Sequence, residues 1–268
     1  MTTTTRTGYA PVHDLHMYYE IHGSGHPLLL IHGGLGSTGM FEAILPQLAA
    51  VRQVIAVDLQ AHGRTADIDR PFSAQRMADD VAALLEQLDI TGADVMGYSL
   101  GGSVALRLAI QHPTLVTRLI VVSAAISRDD WYPAVREGMK QMNASAESFL
   151  RQSPIYAAYV QVAPRPEDFP ILLDKTGEMI RQEYDWSQEF AALKMPVFLA
   201  YGDADSISPA RAARSFELLG GGKADGGWDR SGMTNSRLAI LPDTTHYTIF
   251  SSPALVAAVI PFLETPLP

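Results

Sequence analysis

The sequence predicts an α/β fold: a mostly parallel central sheet flanked by helices on both faces, with a small helical cap inserted into it. Three observations predict it. Short, almost unbroken apolar runs recur along the chain, as expected of strands buried on both faces. Segments with helical periodicity lie between them. From Ile126 to about Ser187 the strand rhythm lapses, and prolines separate short amphipathic stretches. The core is accordingly assigned to 1–125 and 188–268, and the cap to 126–187.

The elements follow in order. LHMYYEIHG (15–23) alternates loosely and is rich in β-formers, so it is read as a strand. PLLLIHGG (27–34) is an apolar run ending in glycines, and RQVIAVDLQ (52–60), ADVMGYS (93–99), VTRLIVVSAA (116–125), MPVFLAYGD (195–203) and SRLAILPD (236–243) repeat its pattern. In DDVAALLEQLDI, Val81, Leu84, Leu85 and Leu88 share one helix face. GGSVALRLAIQHP, SPARAARSFELL and SPALVAAVIPFLE are further helices, and RDDWYPAVREGMKQM, SAESFLRQSPIYAAYV and DFPILLDKTGEMIRQEY supply the cap. Arg128, Asp129 and Asp130 at its entrance are expected to form a solvated hinge. GGGKADGGWDRSG (220–232) is expected to be a surface loop.

Composition narrows the function classes. A chain of 268 residues can bury a sizeable core. Its net charge of −9, without a Lys/Arg cluster, disfavours nucleic acid and anionic membrane as partners. Having no cysteine, it has no disulfide, thiolate nucleophile or Cys-based zinc site. The first residues lack a signal-peptide core, and no run has the length of a membrane span, so the cytoplasm is the expected compartment.

GYSLGG (97–102) joins a buried strand to a helix. So sharp a strand-to-helix turn leaves no room for side chains on either flank, and Gly97 and Gly101 meet that need. The turn lifts Ser99 above the carboxyl edge of the sheet, where open α/β sheets bind ligands. The positive N-terminus of the following helix favours a developing oxyanion there.

A serine needs a base, and the base an orienting carboxylate. Of eight histidines, His246 in LPDTTHYTIF follows Ser99 at a suitable place, because His112 ends the helix that Ser99 begins. For the acid, Asp203 and Asp205 in YGDADSISP compete. Asp205 lies beyond the strand end and is preferred, whereas Asp203 is read as a turn residue accepting from backbone N–H groups. Asp243 is also read as a turn residue. An oxyanion hole needs two N–H groups, and Leu100 and Gly34 (in LIHGGLGS, 30–37) are the candidates.

These pieces, His32-Gly33-Gly34, DLQAHGRT (58–65), GYSLGG, GDADSISP and the histidine of PDTTH, resemble the α/β-hydrolase fold family in order and over nearly the whole chain. The resemblance implies a triad of Ser99, Asp205 and His246, oxyanion donors at Gly34 and Leu100, and a cap over the pocket. DLQAHGRT departs from the family by carrying Gln60-Ala61 where Arg-Gly is common.

A serine nucleophile implies acyl transfer rather than the aspartate chemistry of dehalogenases or epoxide hydrolases on this fold. The expected substrate is a small or medium carboxylic ester, lactones included, with no metal or organic cofactor needed. C–C bond hydrolase, thioesterase and cofactor-free perhydrolase fit the same triad, and a small-molecule sensor on the same fold is the non-enzymatic alternative. Leu35, Tyr98, Trp131, Tyr156, Tyr159, Trp186 and Tyr247 are candidate pocket residues. The expected assembly is a monomer or a homodimer.

Overall fold

The computed structural model describes residues 6–267. In chain order the elements are β1 (Arg6–Val12), β2 (Leu15–His22), β3 (Pro27–Ile31), α1 (Leu45–Ala49), β4 (Gln53–Val57), α2 (Ala74–Gln87), β5 (Ala93–Tyr98), α3 (Leu100–Gln111) and β6 (Val116–Val122). After β6 come α4 (Pro133–Met139), α5 (Glu147–Leu150), α6 (Pro154–Val162), α7 (Phe169–Ile180) and α8 (Ser187–Ala191). Then follow β7 (Val197–Ala204), α9 (Pro209–Leu218), β8 (Arg237–Thr245) and α10 (Pro253–Glu264). The eight strands form one sheet in the order β1-β2-β4-β3-β5-β6-β7-β8. β2 pairs antiparallel with both β1 and β4, and every pairing from β4 through β8 is parallel.

Period-two alternation divides the apolar runs between two cores. Leu29 and Ile31 of β3 and Leu119 and Val121 of β6 face the core shared with α2 and α3. Leu28 and Leu30, with Ile120 and Val122, face the opposite core with α1 and α10. Strands buried on both faces therefore need no polar alternation. In α2, Ser73 caps the N-terminus by accepting from the Arg76 N–H, and the buried face is Met77, Ala78, Val81, Leu84 and Leu85.

The strand β1 is not apparent in the sequence, because only Ala10 and Val12 of it are fully buried. Its order comes from pairing with β2 in a hairpin that turns at His13, with φ of 48°.

The helical insertion between β6 and β7 joins the core through a hydrogen-bonded neck. Trp186 N–H donates to Ile126 O at 3.1 Å, and Arg128 N–H to Tyr184 O at 3.0 Å. The expectation of a solvated hinge holds for Asp129, which is exposed beside Arg136, and fails for its two neighbours. Arg128 and Asp130 are buried: Arg128 pairs with Glu183 and donates to Ile180 O, while Asp130 accepts from the Ile126 and Ser127 N–H groups. Two chain stems leaving a closed core bring unpaired backbone groups together, and these charged side chains satisfy them. On the far side Lys175 of α7 reaches Asp67 and Ile68 O, both at 2.6 Å.

The 220–232 loop is exposed and folds on its own carboxylates. Asp225 accepts from the Gly227 N–H and Asp229 from the Ser231 N–H. Among the described residues no helix is long and apolar enough to cross a membrane.

Candidate active site

The turn between β5 and α3 is as tight as its glycines require. A Cβ on Gly101 would stand 2.2 Å from Ile31 O, and one on Gly97 2.0 Å from Gly101 O. Ser99 takes φ of 53°, a region that L-residues seldom occupy, which marks a strained position at a candidate functional site. Its Oγ lies 3.1 Å from His246 Nε2. The imidazole Nδ1 lies 3.0 Å from Asp205 Oδ1. The carboxylate beside Nδ1 selects the tautomer with its proton there, leaving Nε2 free to accept from the serine.

Asp205 sits at the carboxyl edge beyond β7 and is buried. Oδ1 also accepts from the Ser206 N–H at 2.7 Å, and Oδ2 from the Gly202 N–H at 3.1 Å and from the Ser123 hydroxyl. Burial alone pushes its pKa up. The hydrogen bonds from His246 and Ser123 outweigh that and hold the carboxyl below its ordinary range. Ser123 carried no signal in the sequence: it ends an apolar strand, and its partner is 82 residues away.

Asp203 and Asp205 accept from different groups. Asp203 is exposed and takes the Asp243 and Thr244 N–H groups, each at 3.1 Å. These bonds hold the irregular end of β8, where the register with β7 shifts and Asp243 has φ of 53°. His246 follows directly.

Three aromatic rings surround His246. The Tyr98 hydroxyl donates to His246 O at 2.7 Å, and its ring lies 5.4 Å from the imidazole. Burial, reinforced by the charge of Asp205, raises the Tyr98 pKa, so it stays a neutral donor. Trp131 meets the imidazole edge-on at 5.6 Å, and Tyr247 at 5.3 Å.

The loop after β3 is held by two staples. His32 Nδ1 pairs with Gly33 O at 2.7 Å, and its Nε2 accepts from the Leu59 N–H at 3.1 Å. That arrangement requires a neutral ring, and burial lowers the His32 pKa to about 4. Asp58 accepts from the Thr38 N–H at 2.7 Å and the Arg64 N–H at 2.8 Å, and burial raises its pKa to about 6. A Cβ on Gly33 would meet the Tyr98 ring at 2.6 Å, whereas one on Gly34 would find Leu100 Cβ at an ordinary 3.8 Å. Gly33 is thus the glycine demanded by packing, and Gly34 lies exposed across from Leu100. In the 58–65 loop Ala61 adopts φ of 63°, where a glycine would sit without strain, and Gln60 bonds Asp67 and Arg70.

Of the candidate pocket residues, Trp131 and Tyr247 stand against the His246 imidazole, Trp131 half-buried and Tyr247 exposed, while Leu35 is half-buried and packs on the core. Tyr98 is buried beneath His246. Tyr156 and Tyr159 pack on Phe169, and the Tyr159 hydroxyl donates to Arg165 O. Trp186 stacks on Tyr184 and against the Arg107 guanidinium. Among the described residues no cluster of three or more His, Asp or Glu forms a metal site.

Comparison with known proteins agrees with this architecture. A sequence profile described as alpha/beta hydrolase fold matches residues 26–185. An uncharacterized protein of Mycobacterium tuberculosis is 28% identical over 292 residues, spanning 97% of this chain and 82% of its own. A pimeloyl-[acyl-carrier protein] methyl ester esterase of Neisseria meningitidis is 29% identical over 252 residues, spanning 86% of this chain and 89% of its own. Among solved structures, E-2-(acetamidomethylene)succinate hydrolase superposes with a TM-score of 0.75 at 19% identity, covering 98% of this chain and 100% of its own.

Proposed function

This chain belongs to the α/β-hydrolase fold family, and from that premise we propose that it is a serine hydrolase cleaving small or medium carboxylic esters, lactones included. The observation that carries the reading is the unbroken hydrogen-bonded line from Ser99 through His246 to Asp205, at 3.1 and 3.0 Å. His246 Nε2 takes the Ser99 proton as Oγ attacks the acyl carbon. The Gly34 and Leu100 N–H groups receive the oxyanion. The Leu100 N–H is free for this because the first N–H groups of a helix have no partner within it. The leaving alcohol takes the proton from His246, and an acyl-enzyme remains. A water, deprotonated by the same imidazole, then releases the acid. Asp205 keeps the tautomer and stabilises the imidazolium throughout. One oxyanion donor is worth about 3–4 kcal/mol of barrier, and a positioned base roughly 10²–10⁴ in rate.

The rings beside the candidate base favour an uncharged substrate: Trp131 and Tyr247 flank His246 and bring apolar surface with no ionic group. The helical insertion acts as the cap, and its neck at Trp131 contacts the catalytic histidine directly. The Neisseria esterase, which by its name cleaves a methyl ester, supports ester chemistry at such a site.

The test is a rate panel of p-nitrophenyl esters of rising acyl length and several lactones, with Ser99→Ala as the blank. Turnover that disappears in the variant supports the reading. Equal rates in the two proteins would remove Ser99 as nucleophile.

A further inference from the structure

We propose that Ser123 is a positioning residue for this site, a fourth member of the line whose hydroxyl fixes the Asp205 carboxylate and, through it, the His246 imidazole. The inference rests on the Ser99–His246–Asp205 reading above. Three observations converge on it.

The first is how the carboxylate is held. Asp205 accepts four hydrogen bonds. One comes from His246, the group to be oriented. Two come from Gly202 and Ser206, backbone neighbours that move with Asp205 itself. The fourth, from Ser123, is an anchor supplied from outside that segment, by the residue directly after β6, which lies beside β7 in the sheet. It fixes rotation of the carboxylate relative to the strands that carry nucleophile and acid.

The second is the backbone at Ser123. The residue is fully buried and takes φ of 49°. Glycine would occupy that conformation freely, so the fold carries strain in order to place a side chain there. The third is register. Ser123 directly follows β6, and its N–H donates to Ala200 O of β7 at 2.9 Å. Its neighbour Val122 accepts from the Ser99 N–H at 2.9 Å. Ser123 is therefore built into the sheet edge between nucleophile and acid.

A hydroxyl that merely satisfies a buried carboxylate would affect folding alone. A positioning hydroxyl affects kcat and the protonation of the pair. The titratable groups facing the carboxylate are His246, Tyr98 and Tyr201, and burial keeps both tyrosines neutral across the working range. The acid limb of kcat/KM thus reports the histidine–aspartate pair.

The experiment compares Ser123→Ala and Ser123→Gly with Ser99→Ala, on a p-nitrophenyl ester that the unmodified protein turns over. Ser123→Gly relaxes the backbone, so it folds even where Ser123→Ala does not. The expected result is a kcat about 10- to 100-fold lower in the folded variants, by loss of one hydrogen bond to a charged group. KM stays within about twofold, and the acid limb moves to higher pH because a carboxylate with one donor fewer carries more charge towards Nδ1 and holds the proton of the pair more tightly. A folded Ser123→Gly with kcat within about twofold of the unmodified protein, or with a reduced kcat and an unmoved acid limb, overturns the inference. Full turnover by Ser99→Ala overturns the triad reading as well, so the two failures are distinguishable.

Discussion

Ser99 and Ser123 directly follow the neighbouring parallel strands β5 and β6, both at positive φ (53° and 49°), and bond the His246–Asp205 pair from its two ends. One meets the imidazole at Nε2 and the other the carboxylate at Oδ2. The pair is thus held between two turns of one rigid sheet edge. Sites built on such elements keep their geometry better than sites on free loops.

The two candidate acids separate on substitution. Asp205→Asn removes the charge facing His246 Nδ1 and presents either tautomer, so kcat should fall on the order of 10³–10⁴-fold. Asp203→Asn should lower Tm while leaving kcat within about a factor of three, because its bonds secure only the end of β8. Steady-state kinetics with thermal melts on both variants checks the ranking, and a larger kcat loss at Asp203 would reverse the assignment.

Two glycines in the site should answer an added methyl in opposite ways. Gly101→Ala drives Cβ into the backbone oxygens of Ile31 and His32, at 2.2 and 2.4 Å, and should cost on the order of 3 kcal/mol or more, or prevent folding. Gly34→Ala has room and keeps its N–H, so the protein should fold and retain activity. Soluble yield and circular dichroism distinguish them.

Tyr98→Phe removes the donor to His246 O and leaves a buried carbonyl unpaired. The expected cost is about 1–3 kcal/mol of stability, with kcat lower by roughly 3- to 10-fold as the imidazole loosens. A variant as stable and as active as the parent would show that ring packing alone holds the histidine.

Acid should destabilise the fold through its buried histidines. Burial lowers His32 to about 4 and, with the neighbouring His32 ring, His62 to about 3. Between pH 6.5 and those values the unfolded chain binds protons that the native chain does not, so stability falls with falling pH. Each histidine contributes at most about 1.4 kcal/mol per pH unit. Asp58, raised to about 6, works the other way between pH 6 and 3.8 because its native form protonates first. The net expectation is a Tm that drops from pH 6.5 to 4. His62→Asn, which keeps a donor for Gln60 O, should flatten that slope, and calorimetry across the range measures it.

The turn around Ser99 was legible because glycine sterics, strand burial and helix periodicity are written within a few neighbouring residues. Asp205 is legible only as one of two carboxylates, because its approach to His246 and that of Asp203 to the end of β8 depend on how the sheet edge folds. Strand β1 was invisible because the pairing with β2, not apolar burial, defines it. Charge in the sequence suggests solvent at Arg128 and Asp130, but the Ile180 carbonyl, 52 residues away, turns Arg128 inward, and the Ile126 and Ser127 N–H groups of the neck turn Asp130 inward.

By itself the sequence determined the α/β architecture and the Ser99 turn, which follow from local periodicity and sterics, while Asp205 and His246 were candidates that the resemblance to the family implied. Only the tertiary structure decided that Ser123 anchors Asp205, that Tyr98 secures His246, and that Trp131 rather than Trp186 faces the imidazole. Those pairings depend on which strands become neighbours when the sheet closes, and no periodicity along the chain encodes a contact between residues brought together from distant strands.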